Sequence, residues 1–484
     1  MTSLHRRTFL GSLASIVLAG SFAGCNESTD STPTAGVTPT LTSTPVQPAT
    51  ETPTESPTET ASPTPTDAAT AQAFVRDLSD GAYGRARERL ATDAANRLSA
   101  DTLERLWLGL TAQHGALREI VGVERMTDTE SPAVIVTARC GEADQPVRCT
   151  FDDAGDITKV RFPAVYSPPA YADESAFTER TVTVEGAGCS LPGTLSVPEG
   201  AAGSATGRED GGDGTVPGVV LVHGSGAHDR DETIGPNKPF RDLAWGLATR
   251  GVAVLRYEKR TAACDVPPGD RGINNIVVED AVRAVELLGA QDEVDPDRRY
   301  VVGHSLGATC TPRIAERTDL AGGAMLAANA RPITDVVRDQ RRYLLSITGG
   351  LSEAEKDRIA TLDKALTRIE KGDVAPDERV MRLPGSWWSS LLAYDQVGTA
   401  KRVETPLALF QGGRDYQVTE EDDFARWRSE LGDRANTSTF LYPDLSHLFQ
   451  SGTEPSLGGE YSFHDNVAES VVTDIAAWVE GTGS

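Results

Sequence analysis

The chain has 484 residues, a hydrophobic content of 39% and a formal net charge of −25. This length and composition predict a large hydrophobic core and more than one domain. Nucleic acid is excluded as a partner, because Asp and Glu outnumber the phosphate-binding Lys and Arg by 71 to 46. Such an acidic surface is typical of a protein from a high-salt organism, and we expect a haloarchaeal source; the alternative is an ordinary acidic secreted protein.

The first 25 residues predict an export signal rather than folded structure. Arg6-Arg7 is a twin arginine, and the apolar run from Leu13 to Leu18 is too short to span a bilayer. Phe22-Ala23-Gly24-Cys25 resembles a lipobox. We expect a surface lipoprotein anchored through Cys25 to the outer face of the cytoplasmic membrane, with no other membrane contact. The alternative is a cleaved secretory signal with an incidental cysteine.

Two segments follow the signal. Residues 26–70 consist mainly of Thr, Pro, Ser, Glu and Ala, a composition that predicts a disordered, extended linker because it cannot form a core. Residues 71–165 have apolar side chains at helical spacing in their first half and alternating runs in their second half. They predict a small α+β accessory domain.

Five cysteines follow Cys25, and disulfides form in proteins outside the cytosol. Cys140 and Cys149 flank the turn of a predicted hairpin, so we expect a local disulfide between them. Spacing alone does not assign Cys189, Cys264 or Cys310. Cys310 comes shortly after a candidate nucleophile, where a buried small residue is more common than a reactive one.

Residues 175–484 predict the catalytic domain. Two alternating runs within 181–197 suggest an antiparallel pair. From Val216 onward, apolar strands alternate with amphipathic helices, which is typical of a parallel sheet with helices on both faces. Residues 331–403 interrupt this alternation and predict a charged helical cap over the carboxyl edge of the sheet. The predicted strands are 218–222, 252–256, 300–303, 323–327, 407–411 and 439–442, and the helices 240–249, 277–288, 306–317, 420–431 and 467–479.

A candidate nucleophile lies in Gly303-His304-Ser305-Leu306-Gly307, between a predicted strand and a predicted helix. A sharp strand-to-helix turn exposes a serine hydroxyl above the sheet edge, and flanking glycines let neighbouring backbone approach without a Cβ clash. Ser305 is therefore the predicted nucleophile. The alternative is a structural turn.

The predicted general base is His447, which follows the last strand in a loop that could return over Ser305. A rival is His464, near the start of the final helix, where a capping or surface role is the alternative. His304 lies within the turn itself, where local packing is a simpler role than that of base.

The predicted acid is Asp415, which ends the penultimate strand in Gln411-Gly412-Gly413-Arg414-Asp415. There it could orient His447 and stabilise its imidazolium. The acidic alternatives are Asp444 and the run from Glu420 to Asp423, and a plain turn carboxylate is the structural alternative.

An oxyanion formed at Ser305 needs backbone donors. The amide of Leu306 at the helix start is one, and His223-Gly224-Ser225-Gly226 occupies the slot expected for the second, which we assign to Ser225. Gly224 and His304 beside this site are candidates for the substrate pocket. So are Trp387 and Trp388 in the cap, unless they pack within it.

Five motifs together resemble the EstD-type carboxylesterases of the α/β-hydrolase superfamily. They are His223-Gly224-Ser225-Gly226 with Asp229-Arg230-Asp231-Glu232, Pro236-Asn237-Lys238-Pro239-Phe240, Arg256-Tyr257-Glu258-Lys259-Arg260, Gly303-His304-Ser305-Leu306-Gly307 and Gly412-Gly413-Arg414-Asp415-Tyr416. The resemblance covers about residues 175–480. It implies an α/β-hydrolase fold with an accessory domain and a helical cap, and a serine carboxylesterase that prefers short acyl chains, with Ser305, Asp415 and His447 at its triad positions.

We therefore expect a hydrolase that acts on small-molecule esters through an acyl-enzyme, without a metal or organic cofactor. A serine peptidase or thioesterase would use the same groups. A surface binding protein on an inactive scaffold is a further alternative. The charged residues Asp229, Arg230, Glu258, Lys259 and Arg260 could line the substrate entrance, but ion pairs that fix loops are the favoured role.

Overall fold

The computed structural model describes residues 65–126, 129, 131–186, 188–201, 214–347 and 352–482. The predicted export signal, the lipidation site Cys25 and the linker up to residue 64 lie outside the described residues. Helix α1 (Pro65–Ser79) begins before the accessory-domain boundary predicted at residue 71. Within the described residues, no helix has the length and hydropathy that a membrane crossing requires.

The remaining bounds follow in chain order. The helices are α2 (Tyr83–Glu88), α3 (Thr92–Arg97), α4 (Ala100–His114), α5 (Pro239–Thr249), α6 (Arg260–Ala263), α7 (Glu279–Gly289), α8 (Leu306–Ala315), α9 (Ile333–Ser346), α10 (Glu353–Glu370), α11 (Gly385–Leu392), α12 (Gln396–Arg402), α13 (Ala425–Leu431) and α14 (Glu469–Thr482). The strands are β1 (Leu117–Met126), β2 (Ala133–Cys140), β3 (Ala143–Phe151), β4 (Ile157–Arg161), β5 (Phe177–Gly186), β6 (Cys189–Pro198), β7 (Val216–Val222), β8 (Ala253–Tyr257), β9 (Val294–His304), β10 (Gly322–Leu326), β11 (Arg379–Val380), β12 (Leu383–Pro384), β13 (Leu407–Gly412) and β14 (Thr437–Tyr442).

The accessory domain packs α1 to α4 against an antiparallel sheet with the order β1-β2-β3-β4. Strand β2 alternates buried and half-buried residues, so its apolar side chains meet Phe74 and Trp107 of the helices. This alternation is the reason why a period of two in the sequence predicts strands here.

The predicted disulfide between Cys140 and Cys149 is wrong. In the β2–β3 hairpin, Cys140 lies opposite Ala143 and Cys149 lies opposite Val134, so the two cysteines are at opposite ends of the ladder. Both are buried free thiols, as is Cys310. Flanking a turn in sequence does not place two residues in register. A disulfide instead joins Cys189 to Cys264.

The α/β-hydrolase fold is confirmed in the second domain. Across the described residues, eight strands form one sheet with the order β14-β13-β10-β9-β7-β8-β6-β5. Strands β5 and β6 pair antiparallel and the central strands pair parallel. Side chains alternate along β7: Val219 and Leu221 pack with α5 and α14, while Val220 and Val222 pack with α7 and α8. Helices therefore cover both faces, as the Val-rich strands predict.

The cap contains helices α9 to α12 and the short hairpin β11–β12. Several of its charged side chains form ion pairs within the cap. The guanidinium of Arg338 on α9 lies 2.7 to 3.2 Å from the carboxylates of Asp335, Asp363 and Glu370. The pairs with Asp363 and Glu370 join α9 to α10. The charged composition of this segment therefore reflects how its helices are held together.

The accessory domain contacts the loop that follows His447. The side chain of Phe463 lies in the accessory-domain core. Gln113 Nε2 donates to Asp465 Oδ2 at 2.8 Å, and the amide of Thr453 donates to the carbonyl of Ala112 at 2.7 Å. The two domains therefore share a packed interface close to the predicted triad.

Candidate active site

The predicted nucleophile lies in a strained turn between β9 and α8. Ser305 has φ 53° and ψ −114°, a conformation that side-chain-bearing residues rarely adopt. Close backbone packing explains the two glycines of the motif. A Cβ on Gly303 would lie 2.4 Å from the carbonyl carbon of Gly307, and one on Gly307 would lie 2.0 Å from the carbonyl oxygen of Val222. The turn therefore needs both glycines.

The loops after β13 and β14 bring the other two predicted residues together. His447 Nδ1 lies 2.7 Å from Asp415 Oδ2, and both side chains are buried. The other carboxylate oxygen of Asp415 accepts the amides of Gln417 at 2.8 Å and Val418 at 3.0 Å. Because a carboxylate only accepts, the proton of the neutral imidazole lies on Nδ1, and Nε2 is left as an acceptor.

The rival residues lie elsewhere. His464 Nε2 accepts from the backbone amide of Ser167 at 3.1 Å, and Asp444 is exposed. Asp423 is fully buried and bonds Arg331 at 2.9 Å. These bonds give His464 and Asp423 structural roles.

A cavity of about 60 Å³ lies above Ser305. The predicted site residues Gly224, Ser225, His304, Leu306 and His447 line it together with Ser305. Cap side chains close it from above: Ile333, Val336, Val337, Gln340 and Leu391. A single small cavity therefore joins the predicted nucleophile, base and oxyanion donors.

Trp387 and Trp388 do not line this cavity, and their assignment to the substrate pocket is wrong. Both are buried in the core that the cap shares with the sheet, and Trp388 Nε1 donates to the carbonyl of Val380 at 3.1 Å. Helix α11 turns Leu391, rather than its tryptophans, toward the cavity. The two tryptophans therefore pack in the core, which was the alternative role considered for them.

The backbone amides at the two oxyanion positions differ from that of Gly224. The Gly224 amide donates to Glu232 Oε1 at 2.6 Å and is therefore already bonded. Among the residues that the structure describes, the amides of Ser225 and Leu306 have no hydrogen-bond acceptor. These two donors remain available to a ligand in the cavity.

A buried pair that the sequence did not predict lies next to Ser305. His304 Nδ1 is 2.9 Å from Glu232 Oε2, and His304 Nε2 is 3.0 Å from the carbonyl oxygen of His447. Both ring nitrogens face acceptors, which favours the doubly protonated imidazolium. Although burial opposes charge, Glu232 raises the pKa of His304 above its usual value, and the histidines around Glu232 lower its pKa to about 2.

The sequence places Glu232 in a motif but assigns it no role, because no local pattern distinguishes it from the acidic residues around it. Its backbone has φ 51°, and its carboxylate reaches Gly224 and His304 across the sheet edge. The cap residues of the cavity wall were also missed. Only their helical spacing on α9, at positions 333, 336, 337 and 340, could have indicated a common face.

The charged residues near the loop bond mainly to protein groups. Arg230 Nε lies 2.9 Å from Glu258 Oε1, the Asp229 carboxylate accepts from Thr233 at 2.7 and 2.8 Å, and Arg260 bonds the carboxylate of Asp280. These contacts favour the structural interpretation over a role at the substrate entrance.

Comparisons with known proteins identify the family of this chain. A family model described as "Alpha/beta hydrolase family" matches residues 219–455. The chain is 37% identical over 410 residues to Esterase EstD of Thermotoga maritima, an alignment that covers 84% of this chain and 93% of that protein.

Solved structures with a similar fold include an esterase of Pyrococcus furiosus, at 14% identity and TM-score 0.42, covering 66% of this chain and 97% of that one. An acylaminoacyl peptidase of Pyrococcus horikoshii has 14% identity and TM-score 0.40, covering 75% and 50%. The long alignment with Esterase EstD shows the family: the chain belongs to the alpha/beta hydrolase family.

Proposed function

We propose that the protein is a serine carboxylesterase with Ser305 as nucleophile, His447 as general base and Asp415 as the acid that orients it. The observation that carries this proposal is the 2.7 Å contact between His447 Nδ1 and Asp415 Oδ2, in a site whose cavity also contains the strained Ser305. An esterase activity is named for Esterase EstD, to which the chain is 37% identical over 410 residues.

In the proposed reaction, Nε2 of His447 takes the hydroxyl proton of Ser305 while Oγ attacks the ester carbonyl. The tetrahedral oxyanion accepts hydrogen bonds from the amides of Leu306 and Ser225. Collapse expels the alcohol, which receives the proton from His447, and leaves an acyl-enzyme. Water then attacks the acyl-enzyme by the same route and releases the carboxylic acid.

We further propose that the acyl group is short. A water-sized group needs about 10 to 15 Å³ of such space, so a cavity of about 60 Å³ has room for only about four to six. Counting the carbonyl oxygen, this corresponds to an acyl group of about three to five carbons. Ile333, Val336, Val337 and Leu391 supply an apolar wall that suits such a chain.

We also propose that the protein is exported as a lipoprotein with Cys25 as its anchor, in a high-salt organism. The twin-arginine motif and the net charge of −25 support this proposal. So does the disulfide between Cys189 and Cys264, because disulfides persist mainly in oxidising compartments. Mass spectrometry of the cell-surface protein tests the anchor: a diacylglyceryl group on Cys25 is expected, and an unmodified Cys25 would refute it.

The test of the esterase is hydrolysis of p-nitrophenyl esters from acetate to palmitate by the purified chain in low and multimolar salt, beside Ser305→Ala. Activity that peaks at short chains and is lost in the variant supports the proposal. Aminoacyl amides and acyl thioesters are assayed in parallel. A preference for either over esters would identify a peptidase or thioesterase, and absence of labelling by a fluorophosphonate would identify a non-catalytic scaffold.

A further inference from the structure

Residues 223–226 form the oxyanion loop, which contains the proposed donor Ser225. Three successive carbonyls of this loop accept hydrogen bonds from side chains. The carbonyl of Gly224 accepts from Lys259 Nζ, and that of Gly226 accepts from Thr261 Oγ1 at 3.2 Å. Between them, the carbonyl of Ser225 lies 2.6 Å from His228 Nε2. Burial lowers the pKa of His228, so its neutral ring donates this bond through Nε2. The carbonyls of Gly224 and Gly226 therefore face side chains that do not line the cavity, whereas that of Ser225 faces His228 in the cavity wall.

The position of Lys259 determines where one amide points. In a trans peptide the C=O and the next N–H point in opposite directions. Lys259 is 3% exposed and is not part of the cavity wall, whereas Ser225 lines the cavity beside Ser305. With its carbonyl directed at Lys259, the Gly224–Ser225 peptide directs its N–H toward the cavity.

We propose that Lys259 is a positioning residue that orients and polarises the Ser225 amide for the oxyanion of the reaction. A cation bonded to a carbonyl draws charge from the peptide, and the N–H of that peptide becomes a stronger donor. This inference rests on the proposed esterase function. It assigns to Lys259 a part in the reaction, although Lys259 touches no substrate.

A purely stabilising role explains Lys259 poorly. A buried ammonium destabilises the folded state unless a carboxylate compensates it. Within the described part of the chain, no carboxylate lies within ion-pair distance of Lys259 Nζ. A buried charge without a direct ion pair marks a candidate functional site, although the charge of Glu232 partly balances it.

The charge of Lys259 depends on pH. Burial lowers its pKa to about 8, while the negative charge of Glu232 opposes this shift. Burial raises the pKa of the neighbouring Cys310 thiol to about 12, so that thiol is uncharged in this range. Two neighbouring histidines face the same region: burial lowers the pKa of His223 to about 3 and also lowers that of His228, so both are neutral. Lys259 is thus charged at pH 7 and loses its charge in the mildly alkaline range.

The first test compares Lys259→Met with wild type and with Lys401→Met, a matched control at a surface ion pair with Glu430. Active sites are titrated with a fluorophosphonate, so that kcat refers to folded enzyme only. Loss of a whole oxyanion donor costs about 10² to 10³ in rate. Because Lys259→Met misorients a donor without removing it, we expect kcat to fall about 10-fold to 10²-fold with KM changed less than threefold.

The second readout is inhibition by a trifluoromethyl ketone, whose adduct with Ser305 carries an oxyanion. We expect its affinity to fall by the same factor as kcat in Lys259→Met, and to stay unchanged in Lys401→Met. A kcat within twofold of wild type, or a fall in kcat without a matching fall in inhibitor affinity, would overturn the inference alone. A wild-type protein without esterase activity would overturn the proposed function and the inference with it.

A third measurement, the pH dependence of kcat, keeps a cationic side chain at position 259. The kcat of wild type should decline above pH 8 as Lys259 loses its proton, whereas Lys259→Arg, which stays charged, should keep its kcat to pH 10. If both proteins decline at the same pH, the charge of Lys259 plays no part and the inference is wrong. This comparison remains decisive if Lys259→Met does not fold.

Discussion

The buried pair of Glu232 and His304 leads to a prediction that stability data can test without any substrate. We consider Glu232→Gln. A glutamine can accept the Gly224 amide through Oε1 and donate to His304 Nδ1 through Nε2, so His304 becomes neutral and keeps its bond to the carbonyl of His447. The substitution preserves the contacts of 2.6, 2.9 and 3.0 Å and removes both charges.

The magnitude follows from the linkage between protonation and folding. In wild type the pKa of His304 is raised above its usual 6.5, so its contribution is fully present below pH 6.5 and is lost only as the pH rises through the folded pKa. Glu232, with its pKa lowered to about 2, contributes above pH 4.5 and loses that contribution as the pH falls toward 2. Between pH 6.5 and 5, therefore, neither group costs wild type any stability.

The variant behaves differently in this window. Its His304 is buried and neutral in the folded state, whereas the unfolded chain takes up a proton as the pH falls below about 6.5. Stability then decreases by about 1.4 kcal/mol per pH unit. From pH 8 to pH 5, the difference in unfolding free energy between wild type and Glu232→Gln should grow by at least about 2 kcal/mol, because wild type also gains stability as the pH falls through the raised pKa of His304.

The assay is equilibrium urea unfolding of both proteins at pH 8 and pH 5. The control is Glu258→Gln, because Glu258 bonds Arg230 rather than a histidine; its difference from wild type should be the same at both pH values. If the difference for Glu232→Gln were equally independent of pH, His304 would not be an imidazolium in the folded protein and the reasoning would fail.

Three further predictions concern the site and its support. Asp415→Asn should lower kcat about 10⁴-fold through the wrong tautomer of its imidazole partner, whereas Asp444→Asn should not; equal effects in steady-state assays would reassign the acid. Val336→Ala should enlarge the cavity wall and raise the ratio of octanoate to butyrate turnover, and an unchanged ratio would place the acyl chain elsewhere. Replacing Cys189 and Cys264 by Ala opens a loop spanning 75 residues and should cost about 4 kcal/mol of unfolding free energy; a change under 1 kcal/mol would contradict this chain-entropy estimate.

Local patterns in the sequence were enough for the fold class and the placement of the predicted triad. Val-rich runs separated by amphipathic helices predict a parallel sheet, because a strand covered on both faces must be apolar throughout. The carboxyl ends of parallel strands meet at one edge, so Ser305 after β9 and Asp415 after β13 were predictable neighbours. Glycines at 303 and 307 mark the turn, because the backbone there leaves no room for a Cβ.

Contacts between distant segments were decided only by the tertiary structure. The cysteines at 140 and 149 are close in sequence but six positions out of register, whereas Cys189 and Cys264 meet because β6 pairs with β8. Trp387 and Trp388 could have faced the site or the core, and the packing of α11 placed them in the core.

The same holds for the buried charges. Glu232 and Lys259 lie in separate loops. No sequence pattern around either residue shows that Glu232 accepts from the amide of Gly224 while Lys259 donates to its carbonyl. Periodicity and turn residues report what a segment buries, because that depends on its own side chains. Which polar groups meet once buried depends on how the loops cross above the sheet, and only the folded chain determines that.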